Sequence, residues 1–208
     1  MDGDYDKILS DILSNGYFKE RSVAMSNITD ERYESFKKNL EAVNGKCERT
    51  SKAELGKKLA DLFVAQGLKS TCVNETEFLK EAGVVDALKN AGVEVFTDHI
   101  RLHAETAQGG ISEMHGGIAE LGTQMQFSEG INGRLVAIMS EDFFGVLPAS
   151  TIVDTYDEMF DKLDAMGKDI PGYVGFITGP SRTADIECVG TVGVHGPLRN
   201  TCIIVEDA

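Results

Sequence analysis

The sequence has 208 residues, of which 42% are hydrophobic and 26% are charged, so it can form one globular domain with a core that needs no disulfide or metal. With 34 acidic and 20 basic residues its net charge is −14, which repels phosphate backbones and anionic lipid, so we expect no nucleic-acid or membrane partner. The acidic start Met1–Asp4 lacks the apolar region of a signal peptide, and no apolar run approaches the roughly 20 residues of a membrane span, so we expect a cytoplasmic protein.

The first half of the chain has the pattern of helices followed by alternating helices and strands. Apolar residues at helical spacing predict helices from Thr29 to Gly45 and from Ser51 to Gly67, with Thr29 and Ser51 as N-caps. The other predicted elements of this half are a short amphipathic segment (Tyr5–Leu13), a strand (Ser70–Val73), a helix (Glu75–Asn90) and a strand (Val93–Phe96). This alternation is typical of βαβ units around a largely parallel sheet.

The second half of the chain is richer in predicted strands. They are Thr123–Phe127, Leu135–Met139, Thr151–Thr155, Tyr173–Thr178, Thr191–Val194 and Thr201–Val205, with a helix at Asp157–Met166. The loop between the last two strands, residues 195–200, is too short for a crossover, so we predict that they form a closing antiparallel hairpin. We therefore predict an α/β domain over residues 46–208, preceded by a helical segment over residues 1–45 that belongs to the same domain.

The loop after the predicted strand Tyr173–Thr178 is the most informative stretch for function. In open α/β sheets ligands bind at the carboxyl ends of strands, and a turn glycine, hydroxyls and a planar cation there suit a carboxylate or phosphate. The candidate ligand-binding residues of this loop are Gly179, Ser181, Arg182, Thr183 and Asp185. The loop is either such an anion cradle or a capped turn in which Arg182 pairs with Asp185 or Glu187.

Two other glycine-flanked positions carry candidate catalytic groups. His195 can act as an acid, a base or a hydrogen-bond donor, or it is a histidine in a surface loop. Glu120 can act as a nucleophile or base, or it is an ion-pair partner of Arg134, which is a further candidate ligand-binding residue. The loop with Ser181 and Arg182 and the loop with His195 both follow strands, and neighbouring strands of one sheet end at a common rim. We therefore expect Ser181, Arg182 and His195 to converge at one rim, with Glu120 close to it.

Metal and cofactor motifs are weak in this sequence. The cysteines at positions 47, 72, 188 and 202 are scattered, which predicts free thiols in a reducing compartment rather than a zinc or iron–sulfur site. His99 and His103 have the spacing of helical metal ligands, and His115 follows, but without a glutamate signature we favour a solvated helix face. The sequence has no G-x-G-x-x-G, Walker A or G-x-S-x-G motif, so we predict no nicotinamide, flavin or nucleotide site.

Several of the motifs occur together in a fixed order. T-G-P-S-R-T-A-D-I-E spans residues 178–187, G-V-H-G-P spans 193–197, and I-I-V-E-D follows near the end; G-I-A-E-L-G-T spans 117–123 and precedes Arg134 and Leu147-Pro148. Over roughly residues 109–207 this combination resembles the lactate-utilization protein C family of LUD-domain proteins. Leu121 stands where that family has threonine, and Ser150 and Thr151 lie where a histidine often follows Leu-Pro.

The resemblance implies a layered fold similar to ribose-phosphate isomerases and CoA transferases. It also implies a role beside an iron–sulfur protein and a second LUD-domain subunit in oxidising L-lactate to pyruvate. The electron carriers would then be iron–sulfur centres on a partner, with no cofactor in this chain.

Three functional hypotheses follow. The leading one is a non-redox component of a lactate-oxidising system that binds a small carboxylate or phosphate, or organises partner subunits. The second is a freestanding enzyme of isomerase, ligase or acyl-transfer type, with Glu120 as base or nucleophile. The third is a purely structural subunit whose loops form a protein interface. The sequence leaves a homo-oligomer open.

Overall fold

The computed structural model describes residues 28–128, 130–183 and 191–208. The predicted segment Tyr5–Leu13 lies outside these residues. The helices are α1 (Asp30–Ala42), α2 (Leu55–Gln66), α3 (Glu77–Glu81), α4 (Val84–Asn90), α5 (Ile100–His103), α6 (Asn132–Met139) and α7 (Tyr156–Met166). The strands are β1 (Lys46–Thr50), β2 (Ser70–Asn74), β3 (Glu94–Phe96), β4 (Gly109–Glu113), β5 (Gly116–Ile118), β6 (Thr123–Phe127), β7 (Asp142–Pro148), β8 (Ile152–Val153), β9 (Val174–Ile177), β10 (Arg182–Thr183), β11 (Thr191–Val192) and β12 (Arg199–Val205).

The two helices predicted after Thr29 and Ser51 form; the predicted cap at Thr29 is confirmed and the one at Ser51 is wrong. The Thr29 side chain accepts a hydrogen bond from the backbone nitrogen of Arg32 at 3.3 Å and caps α1. A 3₁₀ turn at Lys52–Glu54 follows Ser51, whose side chain makes no capping bond, and leads into α2. The predicted helix over residues 75–90 forms as two, α3 and α4, because the chain turns through a left-handed conformation at Gly83.

A six-stranded sheet with the order β1-β12-β7-β4-β2-β3 forms the centre of the fold, and all of its pairs are parallel. This confirms the predicted α/β class. Helices α2, α3 and α4 pack on one face of the sheet through one apolar cluster. Helices α1, α5 and α6 pack on the other face through a second cluster.

A smaller sheet lies over the second face and has the order β8-β5-β6-β9. Its strands β5, β6 and β9 are antiparallel, while β8 runs parallel to β5. Helix α7 covers its outer face through Met159, Leu163 and Met166. The small sheet presents polar side chains towards the large sheet, and Gln124 of β6 donates a hydrogen bond to Asn200 of β12 at 3.0 Å.

The predicted closing hairpin is wrong. Strand β12 lies between β1 and β7 in the parallel sheet, whereas β11 pairs antiparallel with β10 in a separate two-stranded ribbon. The physical reason is burial on both faces: Cys202 and Ile204 enter one apolar cluster, and Ile203 and Val205 enter the other. A continuous apolar run of this kind is typical of an inner parallel strand.

The predicted strand Leu135–Met139 is also wrong, because these residues form the second half of α6. Val136 and Ala137 are buried, whereas Ile138 and Met139 are about half exposed. A short apolar run suits a buried helix as well as a strand, so periodicity alone does not separate the two. The predicted strand Thr151–Thr155 is shorter in the structure, since a 3₁₀ turn occupies Ala149–Thr151 before β8.

Candidate functional site

The candidate site is an open groove of about 290 Å³ beside β9. Its walls are the end of α6, strand β9 with the flanking residues Tyr173 and Thr178, and the loops 179–181 and 195–197. Thr178 is held from behind by Thr123 of β6, whose hydroxyl lies 2.7 Å from its own. The groove therefore has strand β9 as its floor and two loops as its rim.

Ser181 connects the two loops through three hydrogen bonds. Its backbone nitrogen donates to the Pro197 carbonyl at 2.9 Å, and its carbonyl accepts from Gly193 at 2.8 Å. Its hydroxyl oxygen accepts from the backbone nitrogen of His195 at 3.4 Å. The structure thus brings Ser181 and His195 together at one rim, with the exposed imidazole of His195 lining the groove.

The two loops meet by a different route from the one expected. β9 belongs to the small sheet and β11 to the separate ribbon, so the loops do not follow neighbouring strands of one sheet. Gly179, in a left-handed conformation with φ 68°, packs against the Val43 carbonyl at the end of α1, which precedes β1. The loop therefore lies near the amino end of β1, and the carboxyl-edge rule for parallel sheets does not apply to it.

The remaining candidates of this loop lie outside the groove or outside the described residues. Arg182 and Thr183 form β10, in register with Val192 and Thr191, and the Arg182 side chain is exposed. Among the residues that the structure describes, neither Arg182 nor Thr183 lines the groove. Asp185 falls in the segment 184–190, which is not described.

Glu120 and Arg134 have separate partners and do not form the ion pair considered from the sequence. The Glu120 carboxylate accepts a hydrogen bond from the backbone nitrogen of Tyr156 at 2.6 Å, at the first turn of α7. The Arg134 side chain donates to the Gly130 carbonyl at 3.2 Å, and its guanidinium lies 5.2 Å from the ring centroid of Tyr173. Arg134 thus packs against one wall residue of the groove, whereas Glu120 is not brought to the groove.

Sequence reasoning missed Tyr173 and Thr178 as groove residues. Both bound the predicted strand Tyr173–Thr178, and the sequence signal that could have indicated them is their position at the two ends of β9. Their two hydroxyls, the Ser181 hydroxyl and the His195 imidazole are polar groups that line the groove. Apolar walls from Ile138 and Phe176 complete a site that suits a small molecule with one polar end.

The histidines with metal-ligand spacing make separate contacts in the structure. His99 precedes α5 in a left-handed conformation, and His103 stacks on Phe96 with ring centroids 3.8 Å apart. His115 is buried, and its Nδ1 accepts a hydrogen bond from the backbone nitrogen of Phe127 at 3.2 Å. Across residues 28–128, 130–183 and 191–208, no three His, Cys, Asp or Glu side chains are grouped to hold a metal.

Residues 33–205 match the LUD domain family. The chain belongs to the LUD-domain family. Among relatives of this LUD-domain protein, lactate utilization protein C 1 of Bacillus mycoides (strain KBAB4) is 31% identical over 192 residues, covering 86% of this chain and 80% of that protein. Lactate utilization protein C of Oceanobacillus iheyensis is 31% identical over 189 residues, covering 85% of this chain and 81% of that protein.

A solved structure has the same fold as this LUD-domain protein. The crystal structure of a DUF162 family protein from Deinococcus radiodurans superimposes with a TM-score of 0.61, covering 84% of this chain and 96% of that one. The two sequences are 18% identical, so the likeness concerns the fold alone. Within the described part of this LUD-domain protein, no helix has the length and apolar character needed to cross a membrane.

Proposed function

We propose that this LUD-domain protein is a cytoplasmic component of lactate utilization that binds a small carboxylate or phosphate in the groove beside β9. In this proposal the redox centres reside on partner subunits, an iron–sulfur protein and a second LUD-domain protein. The role in lactate utilization rests on the similarity of this chain to proteins named lactate utilization protein C, which it matches over about four fifths of their length.

The chemistry of the groove supports a small anionic ligand. Its volume of about 290 Å³ is near the lower end of ligand pockets, which suits a compact molecule. Hydroxyls from Tyr173 and Ser181 and the imidazole of His195 offer hydrogen-bond donors at its walls. The net charge of −14 repels anions at long range, so the binding of an anion in the groove depends on these nearby hydrogen-bond donors.

The placement of the described thiols supports assigning the redox centres to partner subunits, because Cys47, Cys72 and Cys202 are buried and do not belong to a group of three or more potential metal ligands among the described residues. Iron–sulfur clusters are held by thiolates. Burial raises the pKa of Cys47 to about 12 and that of Cys72 to about 11. Cys202 is fully buried, and burial raises its pKa as well.

Thermal unfolding with L-lactate, pyruvate and phosphate tests the ligand. A ligand at a hundredfold excess over Kd stabilises the folded state by about 2.7 kcal/mol. We expect His195→Ala to lose this stabilisation while keeping its fold, because His195 is exposed. His99→Ala, which removes an exposed imidazole elsewhere, should keep it. Arg182→Ala should also keep it; a loss there would place the anion at the ribbon rather than in the groove.

Growth on L-lactate tests the pathway. Deleting the gene in its host should slow growth on L-lactate and leave growth on pyruvate unchanged, with recovery from a plasmid copy. Normal growth on L-lactate would contradict the role in lactate utilization. If no small anion shifts the unfolding temperature, yet His195→Ala prevents assembly with a partner subunit, the groove is a protein interface and the ligand proposal is wrong.

A further inference from the structure

A row of exposed aromatic rings runs from α7 to β9. Tyr156 and Phe160 lie one turn apart on α7, with ring centroids 4.2 Å apart, and Phe176 of β9 stacks next to Phe160 at 5.6 Å. The three residues are 45%, 39% and 40% exposed. Contiguous exposed apolar surface of this kind marks an interaction site more often than single apolar residues do.

The row borders a depression that continues along α7. A depression of about 300 Å³ lies beyond Phe160 and is lined by Leu163, Asp164, Gly167 and Ile170, of which Ile170 is 42% exposed. At the other end of the row, the Glu120 carboxylate accepts a hydrogen bond from the backbone nitrogen of Tyr156, which fixes the start of α7.

The surface exists because α7 covers only part of the small sheet. Its buried residues Met159, Leu163 and Met166 pack on strands β5, β6 and β8. Phe176 is in register with the buried Met125 of β6 and so points to the same face. On β9, the terminal strand of the described sheet, the α7 cluster reaches Val174, whereas Phe176 stays 40% exposed. A step remains between α7 and β9, with Phe176 at its floor and Phe160 at its wall.

An acidic stripe follows the outer side of the step. Asp157, Asp161 and Asp164 are exposed on α7, spaced by four and three residues, so they lie on one side of the helix. At 3.6 residues per turn this stripe lies next to the line of Tyr156 and Phe160, on the side away from the buried residues. An occupant of the step therefore meets apolar rings on its inner side and carboxylates on its outer side.

We propose that this step is a docking site for an amphipathic helix of another protein, with one apolar face flanked by lysine or arginine. A helix beside α7 at the usual 8–10 Å between axes lies over β9 and covers Phe160 and Phe176. Its basic flank meets Asp157, Asp161 and Asp164, which provides the charge complementarity that directs association. A second copy of this chain is a poor occupant, because two chains of net charge −14 repel each other.

Binding of designed peptides tests the proposal without a known partner. The probe is a fluorescein-labelled 18-residue helix of leucine and lysine with leucine at positions i, i+3, i+4 and i+7, measured by anisotropy. Controls are a leucine–glutamate helix of the same pattern and a scrambled leucine–lysine peptide. We expect the amphipathic basic helix to bind more tightly than either control, and binding to weaken with added salt.

Surface variants locate the binding. Phe160→Ser should lower the affinity for the peptide helix by about tenfold or more, as loss of an interface aromatic does. This variant is preferred to a change at Phe176, because Phe176 also borders the candidate ligand groove. Val64→Ser, which removes a 60% exposed side chain on α2, should leave affinity unchanged. Asp161→Asn with Asp164→Asn should weaken binding and flatten its salt dependence, unlike Asp61→Asn with Asp86→Asn.

The outcomes separate this site from the ligand groove and from other occupants. Equal binding of the scrambled peptide, or equal affinity of the Phe160→Ser and Val64→Ser proteins, would overturn the proposal. A dimer in sedimentation that Phe160→Ser disrupts would show that the step holds a second copy instead. His195 lies outside this surface, so we expect His195→Ala to lose anion binding and to retain helix binding. Loss of helix binding in that variant would place the helix at the ligand groove and overturn the proposal.

Discussion

Buried His115 makes the stability of the fold depend on pH. Its exposed fraction is 4%, and its Nδ1 accepts a hydrogen bond from the backbone nitrogen of Phe127, so the ring proton lies on Nε2. Nε2 has no hydrogen-bond partner among the described residues. Burial lowers the pKa of His115 to about 4, whereas an unfolded histidine has a pKa near 6.5.

The sign of the effect follows from where protons bind. Between about pH 6.5 and pH 4 the unfolded chain holds a proton on His115 and the folded protein does not, so stability falls as the pH falls through this window. From about pH 7.5 to about pH 5, the two pKa values give a loss of about 2 kcal/mol in the free energy of unfolding. Above about pH 7 the contribution of His115 no longer changes.

Urea unfolding of the protein and of His115→Asn at both pH values measures this contribution. Asparagine keeps an acceptor for the Phe127 nitrogen but does not titrate, so the variant should lose about 2 kcal/mol less than the original protein on acidification. The smaller side chain lowers stability at both pH values, which cancels in the comparison. Glu113, whose pKa burial raises, titrates in both proteins and cancels likewise. The same pH dependence in both proteins would refute the reasoning.

Three further predictions concern packing, capping and thiol reactivity. Gly122→Ala should cost at least about 2 kcal/mol in urea unfolding, since φ is 61° and a Cβ would overlap the α1 backbone, whereas Gly130→Ala, with open space around it, should be close to neutral. Thr29→Ala should cost about 1 kcal/mol through loss of the α1 cap, measured in the same way. Cys47 and Cys72 should resist thiol reagents in the native protein at about pH 8 and react on unfolding, as followed by mass spectrometry of the labelled peptides.

Local signals in the sequence were enough to predict helices α1 and α2 and several strands. Thr29 supplies a side-chain cap, and Gly67 ends α2 in a left-handed conformation, so both boundaries are set by single residues. Strand β6 and helix α7 likewise carry their own periodicity. These elements depend on contacts within a few residues, which a sequence displays directly.

The errors arose where distant partners decide the structure. The run Thr201–Val205 was predicted to be half of a hairpin from its loop length, yet its pairing with β1 and β7 depends on strands far away in the chain. Its unbroken apolar character was the available signal for an inner strand. Strand β4, which begins with two glycines, was not predicted, because its pairing and not its side chains stabilises it as a strand.

The candidate site was predictable only in part, because local motifs indicate some of its residues while distant contacts decide the positions of the others. The glycine-flanked motifs indicated Ser181 and His195, and backbone hydrogen bonds between their loops bring the two together. Nothing local indicated that the Glu120 carboxylate binds the first turn of α7, because Tyr156 is 36 residues away. The side on which Arg182 emerges depends on its pairing with Val192 in the ribbon, which the sequence does not display.

The position of β12 beside β1 sets an order of events during synthesis. Lys46 pairs with Thr201, so the edge strand β1 emerges about 155 residues before its neighbour in the sheet. At about 5–20 residues per second the ribosome leaves β1 without that neighbour for roughly 8 to 30 s. During this time the apolar face of α1 and the open edge of β1 are exposed to other nascent chains, and a binding chaperone would act at this stage. Slower translation before residue 199 would lengthen the exposure and should lower the soluble yield.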